Sequence, residues 1–358
     1  MKPFWKKLLK TVGIVCGVIV GVLALALAVA SIAEYRPKET ETLELVGNGS
    51  KTLAIGDEFT VVSWNIGYGG LSETADFFMD GGEGVRTQDK DSVTANTQAV
   101  INELQGIDPD VVFLQEADVN STRSWHINQV QMIREALAGF QSSFANNFKV
   151  LWLPYPIPMM GHVDSGILTL SKYTASEATR LQLPCPFSWP IRTMNLKRCL
   201  DVTRIPIEGS DKELVLVNLH LEAYDDGDGK IAQTAMLAEL LQKEYDAGNY
   251  VIAGGDFNQS FNSIDTSMYP LQGGDLWECG ELDTTQFSPV WQFLMDTEAP
   301  TCRSLDRPLD LGDATFQYYM IDGFIVSDNL TVEFLETQDL GFANSDHNPV
   351  VMTVMIGE

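Results

Sequence analysis

A chain of 358 residues, 45% of them hydrophobic, holds enough apolar material for one large core plus an appendage. Its 23 Lys and Arg against 49 Asp and Glu give a formal charge of −26, which excludes a broadly basic surface of the kind nucleic acids are met by. Lys2, Lys6, Lys7 and Lys10 all precede the first acidic residue, Glu34, so the remainder carries 19 basic and all 49 acidic groups, a net of −30. A polyanionic substrate must be admitted locally, and a bound metal ion is the expected means.

From Thr11 to Ala33 no residue is charged. A run of that length crosses a bilayer core, which needs about 20 apolar residues. The small-residue triplets Ala28-Val29-Ala30 and Ser31-Ile32-Ala33 leave a cleaved signal peptide as the alternative. Signal-peptide apolar cores, however, run roughly 7 to 15 residues, so an uncleaved anchor is expected. The four lysines before the span place residues 1–10 in the cytoplasm by the positive-inside rule. The chain then reads as a single-pass protein of the cell membrane, with a transmembrane helix over 11–33, a polar linker over 34–58 and an extracytoplasmic domain over 59–358.

Past the linker, short apolar and β-branched runs alternate with turn residues: FTVVSWNI, DVVFLQE, KVLWLP, SGILTLS, ELVLVNLHL, NYVIAGGDF, MIDGFIVS and NPVVMTVMI. These predict strands. Helical spacing predicts a helix capped by Ser92 and carrying Val93, Val100, Ile101 and Leu104, a second over roughly 127–140, and a third over roughly 231–245. Strand pairs without a helix between them argue against a purely parallel sheet and for a two-sheet sandwich flanked by helices. Cys185, Cys199, Cys279 and Cys302 match no zinc spacing and are expected as structural bridges or as buried thiols. The Gly- and Asp-rich insert 68–90 reads as a solvated loop, with a lid over a substrate as the alternative. Trp152, Tyr155, Met159 and Met160 are expected to pack inside, with contact to a lipid or a base as the alternative.

Polar groups recur at the C-terminal ends of the strands: Asn65, Glu116, His220, Asp256 with Asn258, and Asp322. Asp346 and His347 precede the last strand. Singly each has a bland reading as a turn residue, a surface carboxylate or a satisfied core histidine. Together they supply oxygen donors for a hard cation, plus groups that orient water and move protons.

The ordered set SWNI (63–66), LQE (114–116), DSGILTLSKY (164–173), VNLHL (217–221), GGDFN (254–258), MIDGFIVS (320–327) and SDHNPV (345–350) resembles the endonuclease/exonuclease/phosphatase superfamily over about residues 59–355. That resemblance implies a four-layer α/β sandwich, with two mixed β-sheets face to face and helices outside. It implies that Glu116 is the principal Mg2+ ligand, with Mn2+ as a possible substitute, and that Asn65 lies beside it, binding the metal directly or through water. Asp256 is implied to deprotonate the attacking water, Asn258 to hold a phosphate oxygen, and His347 to contact the phosphoryl group. Asp346 joins the metal shell or orients a histidine, His220 is the candidate acid for the leaving group, and Asp322 supports a histidine. Met320 and Gly323 depart from the family pattern around Asp322, removing an aromatic ring and a positive charge.

The expected activity is metal-dependent hydrolysis of a phosphodiester in a nucleic acid, a lipid head group or a small phosphoester. A phosphomonoesterase, or an inactive binding module of the same fold, is the alternative. Arg192, Lys197, Arg198 and Arg204 are the nearest approach to a basic cluster.

Overall fold

The computed structural model describes residues 3–357 apart from 226 and 275. All eight apolar runs form strands. Their near-continuous burial, complete over Tyr250–Asp256, marks sheets covered on both faces. A six-stranded sheet runs in the order Leu330–Thr337, Val350–Ile356, Glu58–Asn65, Val111–Asp118, Gly161–Ser171, Gln141–Leu153. An eight-stranded sheet has the path Thr40–Thr42, Glu177–Gln182, Cys199–Glu208, Glu213–His220, Tyr250–Asp256, Asp322–Ser327, Trp291–Leu294, with Leu53–Ala54 paired to the side of Cys199–Glu208. A parallel pair lies at the centre of each sheet, Glu58–Asn65 with Val111–Asp118 and Glu213–His220 with Tyr250–Asp256, and Leu53–Ala54 also runs parallel to Cys199–Glu208. The other neighbours of the two central pairs are antiparallel.

Alternation along these strands divides the apolar residues between two faces. Phe59, Val61, Val111 and Phe113 of the first sheet meet Leu214, Leu216, Ile252 and Phe324 of the second in one core. Val62, Trp64 and Val112 point the other way, under the helices Lys90–Ile107 and Gln129–Ala136. Val215, Val217 and Val251 lie under the helix Asp228–Asp246. Fully burying a side chain of this kind stabilises by about 1.5–3 kcal/mol, so the helix–sheet–sheet–helix stack is fixed by the strand pattern. It is the four-layer sandwich expected.

The helix expected to start at Ser92 is capped instead by Asp89, whose carboxylate accepts from the Ser92 N–H at 2.7 Å. The segment 34–58, expected as a linker, is laid on the domain, because its backbone finds free sheet edges. Thr40–Thr42 pairs with Glu177–Gln182, and Leu53–Ala54 with Cys199–Glu208. All five cysteines are unpaired, with Cys199 and Cys302 buried, so the thiol alternative holds. The N-terminal apolar run forms one helix, Pro3–Ala33, with no buried residue.

Gly255 sits where the second sheet delivers Asp256. Its φ is +149°, and a Cβ there would lie 2.0 Å from the Leu219 carbonyl oxygen. Gly255→Ala is therefore expected to destabilise the protein by about 3 kcal/mol or more, read as a lowered thermal midpoint of the full chain in micelles.

Candidate active site

Register gathers the predicted residues. Asp256 lies opposite His220 on one side and Asp322 on the other. Asn65 is the last residue of the parallel strand in the facing sheet. Val350 pairs with Ser63, which sets the preceding segment, with Asp346 and His347, beside Asn65. Glu116 interrupts the pairing of Val111–Asp118 with Gly161–Ser171, where the register shifts between Leu114 and Ala117. Its φ of 55° lies in the left-handed region, as does the 51° of Asn258. Two non-glycine residues held this way at one site mark positions that the surrounding structure over-determines. Glycine is needed at 67 for a related reason: φ is +49°, and a Cβ would stand 2.7 Å from Asp346 Oδ1.

Seven of the eight predicted residues line one cavity of about 450 Å3, and the eighth, Asp322, lies behind His347. His347 Nδ1 is 2.7 Å from Asp322 Oδ2, and its Nε2 is 3.8 Å from Asp256 Oδ2. His220 Nε2 approaches the same Asp256 oxygen at 3.4 Å. Asn65 Nδ2 donates to that oxygen at 3.0 Å and reaches Glu116 Oε1 at 3.5 Å. The Asn65 side-chain oxygen Oδ1 accepts from the Gly67 N–H at 3.0 Å. Asp256 Oδ1 accepts from the Asn258 N–H at 2.8 Å, while Asn258 Nδ2 donates to the Leu221 carbonyl at 2.9 Å.

Burial, reinforced by Asp322, pushes the Asp256 carboxyl up to about 7. Burial, with Glu116 nearby, raises Asp346 to about 6. For His347 burial opposes the charged ring, but the Asp322 carboxylate and its neighbours outweigh it and hold the pKa well above the usual histidine range. For His220 burial acts with the charges of Arg198 and His347, and holds the ring neutral. A neutral ring can donate a hydrogen bond through one of its nitrogens.

These donors fit a hard divalent cation. The oxygens come from carboxylates, Glu116 has only long contacts to Asn65 and, at 3.7 Å, to Arg123, and the burial and acidic neighbours that raise Asp256 and Asp346 disfavour negative charge that a cation would offset. Cys302 lies close to Asp346 and His347, but burial pushes its thiol up to about 12, so it offers no thiolate. Asn65 turns its NH2 to Asp256 and Glu116 and its Oδ1 to the Gly67 N–H.

Sequence patterns gave no sign of Arg123. Buried on a short turn, it is held bidentately by Asp118 at 2.9 and 3.2 Å and stacks 3.8 Å from the Tyr68 ring, which itself lines the cavity. The insert 68–90, expected as a solvated loop, forms a wall: Tyr68, Leu71, Phe77 and Val85 pack with Met160 and Leu305. The expected basic cluster is dispersed. Arg198 is buried at the cavity, Arg192 and Lys197 pair with Glu34, and Arg204 pairs with Glu244. Gly323, a departure noted above, packs so that a Cβ would lie 2.3 Å from the Leu294 carbonyl, which leaves no room for a larger residue.

With this geometry in place, the model of the Endonuclease/Exonuclease/phosphatase family matches residues 62–347. The chain belongs to that family. It is accordingly a metal-dependent phosphoester hydrolase. No curated protein sequence matches it. Among solved structures it is similar to an endonuclease/exonuclease/phosphatase from Beutenbergia cavernae, at 16% identity over 84% of this chain and 72% of the other, TM-score 0.57. It is also similar to one from Bacteroides vulgatus, at 16% identity over 84% and 99%, TM-score 0.52. Truncated TDP2 from Caenorhabditis elegans matches at 17% identity over 83% and 98%, TM-score 0.51.

Proposed function

We propose that this family member hydrolyses a phosphodiester, with Glu116 and Asp346 holding Mg2+, or Mn2+ in its place, and Asn65 positioning the carboxylates. The observation that carries this reading is Asp256: a buried carboxyl with a pKa near neutrality, within reach of Asn65, His220 and His347. Such a group accepts a proton from water at the pH where the protein works. When bound, the metal supplies positive charge to a phosphoryl oxygen. His347, kept charged by Asp322, faces the charge that develops on phosphorus, and neutral His220 donates a hydrogen bond through Nε2. Asn258 and Arg123 line the cavity and favour an anionic group within it.

The helix Pro3–Ala33 anchors the chain in a membrane, and the lysines before it favour a catalytic domain outside the cytoplasm. The test is turnover of bis-p-nitrophenyl phosphate and p-nitrophenyl phosphate by the full chain in micelles. Turnover of the diester is expected with Mg2+ or Mn2+, with loss in chelator and a fall of about 10^3-fold in Glu116→Gln. Turnover of the monoester alone would replace the diesterase reading by a phosphomonoesterase.

A further inference from the structure

One wall of the catalytic cavity runs out to the end of the membrane helix. Ser31 lies in the last turn of that helix, and the Trp189 indole N–H donates to its Oγ at 2.9 Å. Arg192 pairs at 2.9 Å with Glu34, the first charged residue past the helix. The apolar run from Thr11 to Ala33 is roughly 35 Å long, close to the hydrocarbon thickness of a bilayer. Ser31 therefore marks the membrane boundary, and Trp189 is held at that level.

Around it the domain is apolar on its outside. Trp189 is 53% exposed and Ile191 62%, and on the neighbouring hairpin Trp152 is 52%, Tyr155 71% and Ile157 86% exposed. The helix also touches the strand Gln141–Leu153, which leads into this hairpin. The expected inward packing of Trp152 and Tyr155 thus fails, because the hairpin tip projects past its sheet and no described element lies over it. Aromatic residues at the head-group level are how membrane proteins settle at an interface. The same two segments turn inward as cavity wall: Leu153, Pro154 and Tyr155 from one, Phe187 and Met194 from the other. Tyr155 packs edge-on against Phe78 of the insert at 5.9 Å, and the Arg86 Nε donates to the Met159 carbonyl at 2.6 Å, so insert and hairpin form one surface.

We infer that this rim sits in the head-group layer and that the cavity takes a zwitterionic phosphodiester lipid from the adjoining leaflet. The inference rests on the phosphodiesterase reading above and names its substrate. A phosphate alone has no use for apolar walls continuous with a membrane-level rim, whereas a lipid brings its phosphate to the site with its chains still beside the bilayer. The net charge of −26 disfavours both nucleic acids and anionic lipids. In the reaction a water oxygen bonds to phosphorus and the P–O bond to one of the two alcohols breaks. Asp256 takes a proton from the water and returns it to solvent, while the departing alkoxide takes one from solvent, leaving a free alcohol and a phosphomonoester.

The experiment uses the full chain reconstituted with Mg2+ in vesicles of phosphatidylcholine, phosphatidylethanolamine and sphingomyelin, with bis-p-nitrophenyl phosphate and a single-stranded oligonucleotide as soluble substrates. Lipid cleavage is expected. The variant W152S/I157S/W189S/I191S, none of whose substituted side chains lines the cavity, is expected to lose about tenfold or more on lipid while keeping diester turnover within about twofold. Tryptophan quenching by head-group-proximal brominated lipids should weaken in W152S and in W189S singly. These single variants decide the rim's placement even if the fourfold variant fails to fold. Soluble-diester turnover with intact lipid would overturn the lipid substrate and leave the phosphodiesterase standing, as would oligonucleotide cleavage in its place. Unchanged quenching in both single variants would overturn the rim. No turnover of any substrate would remove both readings.

Discussion

Asp256→Asn is expected to lower kcat by about 10^3-fold while leaving the fold intact, since a positioned general base contributes roughly 10^2 to 10^4. The substitution keeps the shape and preserves an oxygen for the Asn258 N–H, which now donates at 2.8 Å. What it removes is the group able to take a proton, together with the oxygen that accepts from Asn65 Nδ2 at 3.0 Å. The stability effect has the opposite sign. Burial raises this carboxyl to about 7 in the folded state, against about 4 for an unfolded aspartate. The folded state thus binds the extra proton between those values, and stability falls as pH rises through that window. A neutral asparagine carries no such penalty. In chelator at pH 8 the variant should melt no lower than the parent, and a higher midpoint is the expected result. Parallel loss of activity and midpoint would mean that Asp256 is structural, and would remove the base from the proposed mechanism.

The sequence makes the chemistry legible because strands end where pleat and register leave polar groups facing one cleft. Asn65, His220 and Asp256 stand at the ends of apolar runs that have no other reason to carry them. Long-range placement is what stays hidden. Arg123 belongs to no run, and only the fold brings its guanidinium over Tyr68 and against Asp118. The edge strand Thr40–Thr42 carries no apolar residue, because an edge position asks only for backbone pairing, and so the segment before the domain reads as a free linker. The hairpin around Trp152 fails for a related reason. Composition reports that a segment is apolar, but whether anything covers it depends on neighbours far away in the chain.

Asp322→Asn is the second change with a large expected effect, and its signature lies in pH. Asp322 is fully buried, lies 2.7 Å from His347 Nδ1, and is the chief reason that ring stays charged despite its burial. An asparagine in the same place provides no charge, so burial meets less opposition and the histidine pKa falls. A ring whose folded pKa is raised works in its charged form at every pH below that value and loses it as pH climbs through it. In the parent this loss lies well above the ordinary histidine range, and in the variant it moves down. The ratio of parent to variant kcat should therefore grow with pH. It should be smallest near pH 5.5 and reach about 10^3 or more by pH 8, in line with the cost of removing a carboxylate from behind a working imidazole. If the ratio is flat across that range, Asp322 only orients the ring and the charge on His347 is not used. A ratio that rises with pH, together with a lowered His347 titration followed by NMR, assigns to this buried pair the task of keeping a positive charge in front of the phosphoryl group.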